Sequence, residues 1–145
     1  MDDSAVEYLV SEGLEPYLKG LQSEADSSSG NDDIYQAVDP ENKIPFPPES
    51  ADLARLHKAI RDRRVMTVLE FGVGYSTIVM ADALAKNKSD FGEYAQENLR
   101  RKDSFMLHAV DADTDFIELT RSNVPQHLRS FIEFHFSPVS ISTFC

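Results

Sequence analysis

An acidic side chain and two glycines stand together near the middle of this 145-residue chain. Glu70 ends an apolar run, and Gly72 and Gly74 follow it before an amphipathic segment begins near Tyr75. Glycine allows a sharp turn out of a strand and a close approach of the backbone to a ligand. A helix that starts there offers free N–H groups and the positive end of its dipole. The pattern predicts a strand, a glycine turn and a helix that hold a nucleotide-like cofactor.

A second acidic residue, Asp111, ends the next apolar run along the chain. Ligands of parallel sheets bind beyond the carboxyl ends of the strands, and we expect Glu70 and Asp111 to lie at that edge. A carboxylate in this position can accept hydrogen bonds from both hydroxyls of a ribose. Ser76 and Thr77 add hydroxyl groups at the start of the following helix.

The details of the glycine turn bear on the choice of cofactor. A dinucleotide fingerprint would have a third glycine where Thr77 stands, and an acid about 20 residues further on. Asp111 instead lies 37 residues after Gly74. The Gly-x-x-x-x-Gly-Lys-Ser/Thr sequence of a phosphate loop is absent. An acid directly before the turn would repel a pyrophosphate, whereas it suits a cationic ligand. An NAD-dependent oxidoreductase is therefore the lesser alternative.

Apolar periodicity divides residues 50–136 into alternating helices and strands. Such alternation predicts a parallel sheet with helices on its faces. The first strand is nearly continuous in apolar residues, which is typical of a central strand covered on both faces. The third strand alternates, as an edge strand does. The predicted elements are a helix capped by Ser50 that ends at 61–64, a strand at 65–71, a helix at 75–88, a polar, helix-permissive surface insertion at 89–104, a strand at 105–110, a helix capped by Asp113 or Thr114 that stops before Pro125, and a strand at 131–136.

The first 49 residues form an acidic lead segment. Residues 1–50 hold 12 acidic and two basic residues, whereas residues 51–145 hold 13 and 12. Residues 4–22 have helical periodicity, which Gly13 and Pro16 divide into two short pieces. A polar linker at 23–33 and a proline-rich strap at 34–48 follow.

Composition argues against several functions. No apolar run approaches the roughly 20 residues of a membrane span, so no membrane partner is expected. The chain lacks the basic face that nucleic-acid binding uses. One cysteine, Cys145, excludes an intrachain disulfide, and we expect a cytoplasmic protein. The four histidines are dispersed without ligand spacing, and no metal site is predicted.

The two acidic motifs resemble those of class I S-adenosylmethionine-dependent methyltransferases. Residues 68–74, Val-Leu-Glu-Phe-Gly-Val-Gly, are similar to the first motif of that family, an acid-x-Gly-x-Gly at the end of strand one. Residues 109–112, Ala-Val-Asp-Ala, resemble the second, an acid at the end of strand two. The resemblance covers residues 50–137. It implies an α/β, Rossmann-like three-layer sandwich with a parallel sheet, and methyl transfer from S-adenosylmethionine to an unidentified acceptor.

The resemblance also implies roles for particular residues. Glu70 and the glycine turn would border the methionine part of the cofactor, and Asp111 would bind the ribose hydroxyls. Asp113 would lie near the adenine or simply cap a helix, and Tyr75 would stack near the cofactor or simply pack in the core. No catalytic residue is predicted. The predicted cofactor-binding residues are Glu70, Phe71, Gly72, Gly74, Tyr75, Ser76, Thr77, Asp111, Ala112 and Asp113.

Complete members of that family carry further strands after the third. We therefore expect residues 50–145 to be the N-terminal half of such a domain, truncated after strand three. Strand one would then keep an unpaired apolar edge, which favours pairing with another chain, such as a homodimer. The alternative function is a non-catalytic cofactor-binding half that acts through association with another chain.

Overall fold

The described part of the chain contains a sheet of three parallel strands. The computed structural model describes residues 3–18, 49–101 and 104–139, so the predicted linker at 23–33 and the strap at 34–48 lie outside the described residues. In chain order the elements are α1 (Asp3–Ser11), a 3₁₀ turn (Glu15–Tyr17), α2 (Ser50–Asp62), β1 (Thr67–Phe71), α3 (Tyr75–Asn98), β2 (Met106–Asp111), α4 (Thr114–Asn123), a 3₁₀ segment (Gln126–Phe131) and β3 (Ile132–Phe136).

The strands lie in the order β1-β2-β3, and both neighbouring pairs are parallel. Leu69 pairs with His108, and His108 pairs with Glu133. The helices between the strands make the crossover connections that parallel pairing requires. The predicted α/β class with a parallel sheet is confirmed.

The described helices cover one face of the sheet. Apolar side chains of β1, β2 and β3, including Val68, Leu107 and Phe134, pack there with Ile78 and Leu84 of α3. Strand alternation places the intervening residues on the opposite face. We call this the open face; its residues are Thr67, Leu69, Phe71, Met106, His108, Val110, Glu133 and His135.

Two apolar side chains of β1 are exposed on the open face. Leu69 is 59% exposed and Phe71 is 80% exposed. The prediction that β1 is covered on both faces is therefore wrong for the described residues, which form two layers. The apolar run was typical of a doubly covered strand, but only Val68 and Glu70 point toward helices.

Helix α3 is longer than the sequence predicted. It continues through 89–98, which were expected to be a surface insertion, and ends at Asn98. No proline interrupts this polar segment, so the helix continues without an apolar stripe. Asn87 is fully buried. Its amide donates to the carbonyls of Ile60 (3.0 Å) and Val65 (2.8 Å), which fixes α3 to the turn between α2 and β1.

The lead segment packs on α2 through a second apolar cluster. Leu9, Leu14 and Leu18 are buried there with Leu53 of α2. The predicted division of the first helix into two short pieces is confirmed, since α1 ends at Ser11 and a 3₁₀ turn follows. Among the described residues, none of the helices combines the length and apolar character that crossing a membrane requires.

The sequence also predicted which residues cap the N-terminal ends of α2 and α4. The prediction that Ser50 caps α2 is wrong: Ser50 is the first helical residue, and Glu49 occupies the N-cap position without a capping hydrogen bond from its side chain. Asp113 caps α4 as predicted: its carboxylate accepts hydrogen bonds from the backbone N–H groups of Asp115 (2.8 Å) and Phe116 (3.3 Å).

Candidate functional site

Glu70 lies at the end of β1 and fastens the start of α3. Its side chain is only 8% exposed. One carboxylate oxygen accepts a hydrogen bond from the hydroxyl of Ser76, and the other accepts one from the hydroxyl of Thr77 at 2.7 Å. The Thr77 hydroxyl oxygen in turn accepts from the backbone N–H of Gly74 at 3.0 Å. Glu70, Ser76 and Thr77 thus fix the direction in which the chain leaves the strand.

Burial raises the pKa of the Glu70 carboxyl above its usual value. The hydrogen bonds from Ser76 and Thr77 oppose this shift because they favour the ionised form, and the negative charge of Asp111 adds to it. A cation placed against this carboxylate would stabilise the ionised form.

Asp111 lies at the end of β2 and joins two loops. One carboxylate oxygen accepts a hydrogen bond from the backbone N–H of Val73 at 3.0 Å, and the other accepts one from that of Asp113 at 2.8 Å. An ionised carboxylate has about four acceptor positions. Asp111 can therefore hold both loops and still accept hydroxyl groups from a ligand.

The two glycines of the turn are used differently. Gly72 has a φ of 88°, which L side chains rarely adopt, and its N–H donates to the carbonyl of Val110 at 2.8 Å. Gly74 has a φ of 169°, an extended backbone open to any residue. A Cβ added at either glycine would meet no atom within 4 Å. The positive φ explains why glycine occupies position 72, whereas nothing in the described residues requires glycine at position 74.

The other predicted residues divide into three groups. Tyr75 is half-buried and packs against the apolar cluster of the lead segment. Phe71 projects from the open face, away from the face on which Glu70 meets α3. Ala112 is exposed in the loop after β2, where Asp113 serves as the cap of α4.

A shallow cleft with about 20 Å³ of water-accessible volume opens between the start of α3 and α4. Gly74 and Tyr75 border it on one side and Leu119 on the other, but neither Glu70 nor Asp111 lines it. The cleft is small beside the roughly 300–1,000 Å³ of ordinary ligand pockets. It extends from the glycine turn along the helices and does not itself define the predicted site.

Sequence reasoning missed a cluster on the open face. His108 Nδ1 lies 3.2 Å from His135 Nε2, and Glu133 carboxylate oxygens lie 3.4 Å from the first nitrogen and 3.8 Å from the second. The signal was present in the alternation of β3, which places Glu133 and His135 on one face. The strand register that brings His108 beside them was not readable from spacing along the chain.

Another histidine, His57, lies in a buried network that joins three helices. His57 is fully buried, with Nδ1 2.7 Å from the Tyr8 hydroxyl and Nε2 2.9 Å from the Asp82 carboxylate. Lys86 bonds both Asp82 and Glu12 at 2.7 Å. Burial raises the pKa of the Tyr8 hydroxyl to about 12, with a further contribution from Glu12. These contacts hold α1, α2 and α3 together.

Comparison with protein-family models, with curated proteins and with solved structures found no match to this chain.

Proposed function

We propose that this chain binds S-adenosylmethionine and belongs to a methyltransferase that transfers the methyl group of this cofactor to an acceptor. The observation that carries the proposal is that two acidic side chains, Glu70 and Asp111, lie at one edge of the sheet beside a glycine turn. Glu70 accepts hydrogen bonds from the first turn of α3, and Asp111 accepts them from the loops that follow β1 and β2.

The residues at this edge fit the chemical groups of the cofactor. The Glu70 carboxylate favours a cationic neighbour, which suits the amino group and sulfonium of the methionine part. Asp111 has acceptor positions left for ribose hydroxyls. Space beside Gly74 would let the cofactor approach the backbone, and this explains a glycine that neither conformation nor packing requires.

In the proposed reaction the protein would orient the cofactor and exclude water. The cofactor, when bound, supplies an electrophilic methyl group. Glu70 and Asp111 would hold it in one orientation, and the hydroxyls of Ser76 and Thr77 keep the Glu70 carboxylate in place. Positioning a reactive group and excluding water can account for a large part of a rate enhancement.

Calorimetric titration with S-adenosylmethionine tests the proposal, with NAD as the competing cofactor. We expect S-adenosylmethionine to bind and NAD not to bind. Glu70→Gln should weaken binding at least tenfold because it removes the negative charge while keeping a similar shape. Gly74→Ala should weaken it by a similar factor because the new methyl group occupies the space left beside the backbone.

Glu97→Gln is the matched control, since Glu97 is exposed near the far end of α3. This variant should bind like the unmodified chain. NAD binding without S-adenosylmethionine binding would refute the proposal in favour of an oxidoreductase. Equal affinity of Glu70→Gln and Glu97→Gln would remove Glu70 from the site.

A second candidate function is non-catalytic cofactor binding through association with another copy of the chain. It is favoured by the exposed Leu69 and Phe71 side chains and by β1 lying at the edge of the described sheet. Sedimentation velocity would show a dimer that Leu69→Glu converts to monomer. A monomer at all concentrations would exclude this candidate.

A further inference from the structure

We propose that His108, Glu133 and His135 form a binding site for a divalent transition-metal ion of the zinc class. Their ligand atoms all lie within 4.8 Å of one another. The closest pair is His108 Nδ1 and His135 Nε2, at 3.2 Å. Glu133 contributes one oxygen 3.4 Å from His108 Nδ1 and another 3.8 Å from His135 Nε2.

The sheet fixes the positions of these three side chains. His108 on β2 pairs with Glu133 on β3, and His135 is two residues beyond Glu133 on the same strand. Side chains two apart on a strand, and those of paired residues, project from the same face. All three therefore stand on the open face, held by backbone hydrogen bonds and not by a loop.

The spacing agrees with a tetrahedral ion. With bonds of about 2.0–2.1 Å, two ligands of a tetrahedral zinc ion are about 3.3 Å apart. The separation of 3.2 Å between His108 Nδ1 and His135 Nε2 agrees with that value. One Glu133 ligand oxygen lies within 4.8 Å of both nitrogens, and rotation of this exposed side chain would bring it to the ion. Two imidazoles and one carboxylate suit zinc or its first-row neighbours, whereas magnesium and calcium prefer oxygen ligands.

Partial exposure leaves room for a further ligand. The side chains of His108, His135 and Glu133 are 24%, 40% and 57% exposed. Three protein ligands with an accessible fourth position are typical of zinc sites that keep a bound water. The cluster lies on the opposite face of the sheet from Glu70 and α3, so the proposal does not depend on the proposed cofactor site.

The other grouping of histidine with acids is a poorer metal site. Glu12, His57 and Asp82 also lie within ligand distance. Both nitrogens of His57 already have hydrogen-bond partners, and the Lys86 ammonium lies 2.7 Å from each carboxylate. A metal ion there would have to displace a cation and break a buried network. At His108, Glu133 and His135, by contrast, no lysine or arginine contact is found among the described residues.

The test uses the untagged chain, dialysed against chelator and then titrated with Zn²⁺ by calorimetry. We expect one ion per chain. His108→Ala and His135→Ala should each weaken binding at least tenfold, and Glu133→Gln should weaken it as well. His127→Ala is the matched control because His127 is exposed in the 3₁₀ segment, outside the cluster. It should bind Zn²⁺ like the unmodified chain.

Cobalt and thermal unfolding provide independent readouts. Co²⁺ bound by this set should give the strong visible absorption of a tetrahedral ion, and His135→Ala should abolish it. Zn²⁺ should raise the unfolding temperature of the unmodified chain but not that of a folded His108→Gln variant. If the unmodified chain binds Zn²⁺ no more tightly than the double variant His108→Ala/His135→Ala, or if His127→Ala loses as much affinity, the proposal is overturned.

Discussion

Replacement of Asp111 by alanine should destabilise the protein before any ligand is considered. The Asp111 carboxylate accepts the backbone N–H groups of Val73 at 3.0 Å and Asp113 at 2.8 Å. A hydrogen bond to a charged group contributes about 1.5–3 kcal/mol. Asp111 is half-exposed, and water can partly replace it, so we take the lower end for each bond. Asp111→Ala should then lower the free energy of unfolding by about 3 kcal/mol.

Asp111→Asn should have about half that effect. Asparagine keeps one carbonyl oxygen as an acceptor, so one of the two backbone N–H groups retains its partner. We expect a loss of about 1.5 kcal/mol in the free energy of unfolding. Urea unfolding followed by circular dichroism would measure both variants. Hydrogen exchange would report the backbone N–H groups of Val73 and Asp113, which should exchange faster in Asp111→Ala.

Asp52→Ala is the control for this prediction. Asp52 makes one exposed ion pair with Arg55 three residues later on α2, and its loss should lower the free energy of unfolding by no more than about 0.5 kcal/mol. If Asp111→Ala is as stable as Asp52→Ala, and the Val73 amide exchanges at the unmodified rate, then Asp111 does not stabilise the two loops that follow β1 and β2. If the prediction holds, loss of cofactor binding in Asp111→Ala alone cannot identify a ribose contact.

Three further predictions concern stability. Asn87→Ala should lower the free energy of unfolding by about 3 kcal/mol, measured in urea, because two carbonyls lose a buried donor. Burial alone would raise the pKa of Asp82, but hydrogen bonds from His57 and Lys86 and the positive charge of Lys86 lower it. The stability that ionised Asp82 contributes should be present above pH 3.8, the ordinary pKa of an aspartate, and should be lost as the pH falls further. In Asp82→Asn, the free energy of unfolding should therefore decline less in acid. Glu70 has a raised pKa, so its contribution should be present below pH 4.5 and be lost as pH rises through the folded-state value. Glu70→Gln should therefore gain stability relative to the unmodified chain with increasing pH, and a constant difference would contradict the shift.

Apolar periodicity was enough to predict the order of the elements and the parallel sheet. It failed where a helix carries no apolar stripe. Residues 89–98 are polar and remain helical because they continue α3 beyond the anchored Asn87. It also failed for the exposed face of β1, since a run of apolar residues shows that a strand could be covered on both sides but not that it is.

The candidate site was predictable in its positions but not in its hydrogen bonds. Glu70 and Asp111 end neighbouring parallel strands, and strand ends alone place them at one edge. The hydrogen bond from the Val73 N–H to Asp111 joins residues 38 positions apart and depends on how two loops meet. The close approach of His108 and Glu133 depends on strand register, because a slip of one residue would place them on opposite faces of the sheet.

The alternation of the strands makes the two proposed sites separable by experiment. Glu70 faces α3, whereas His108 and His135 stand on the open face of the same sheet. His135→Ala should therefore leave S-adenosylmethionine binding unchanged, and Glu70→Gln should leave Zn²⁺ binding unchanged. A variant that loses both ligands has lost the sheet that positions them, and it would count against neither site. A loss confined to one ligand assigns that ligand to one face of the sheet.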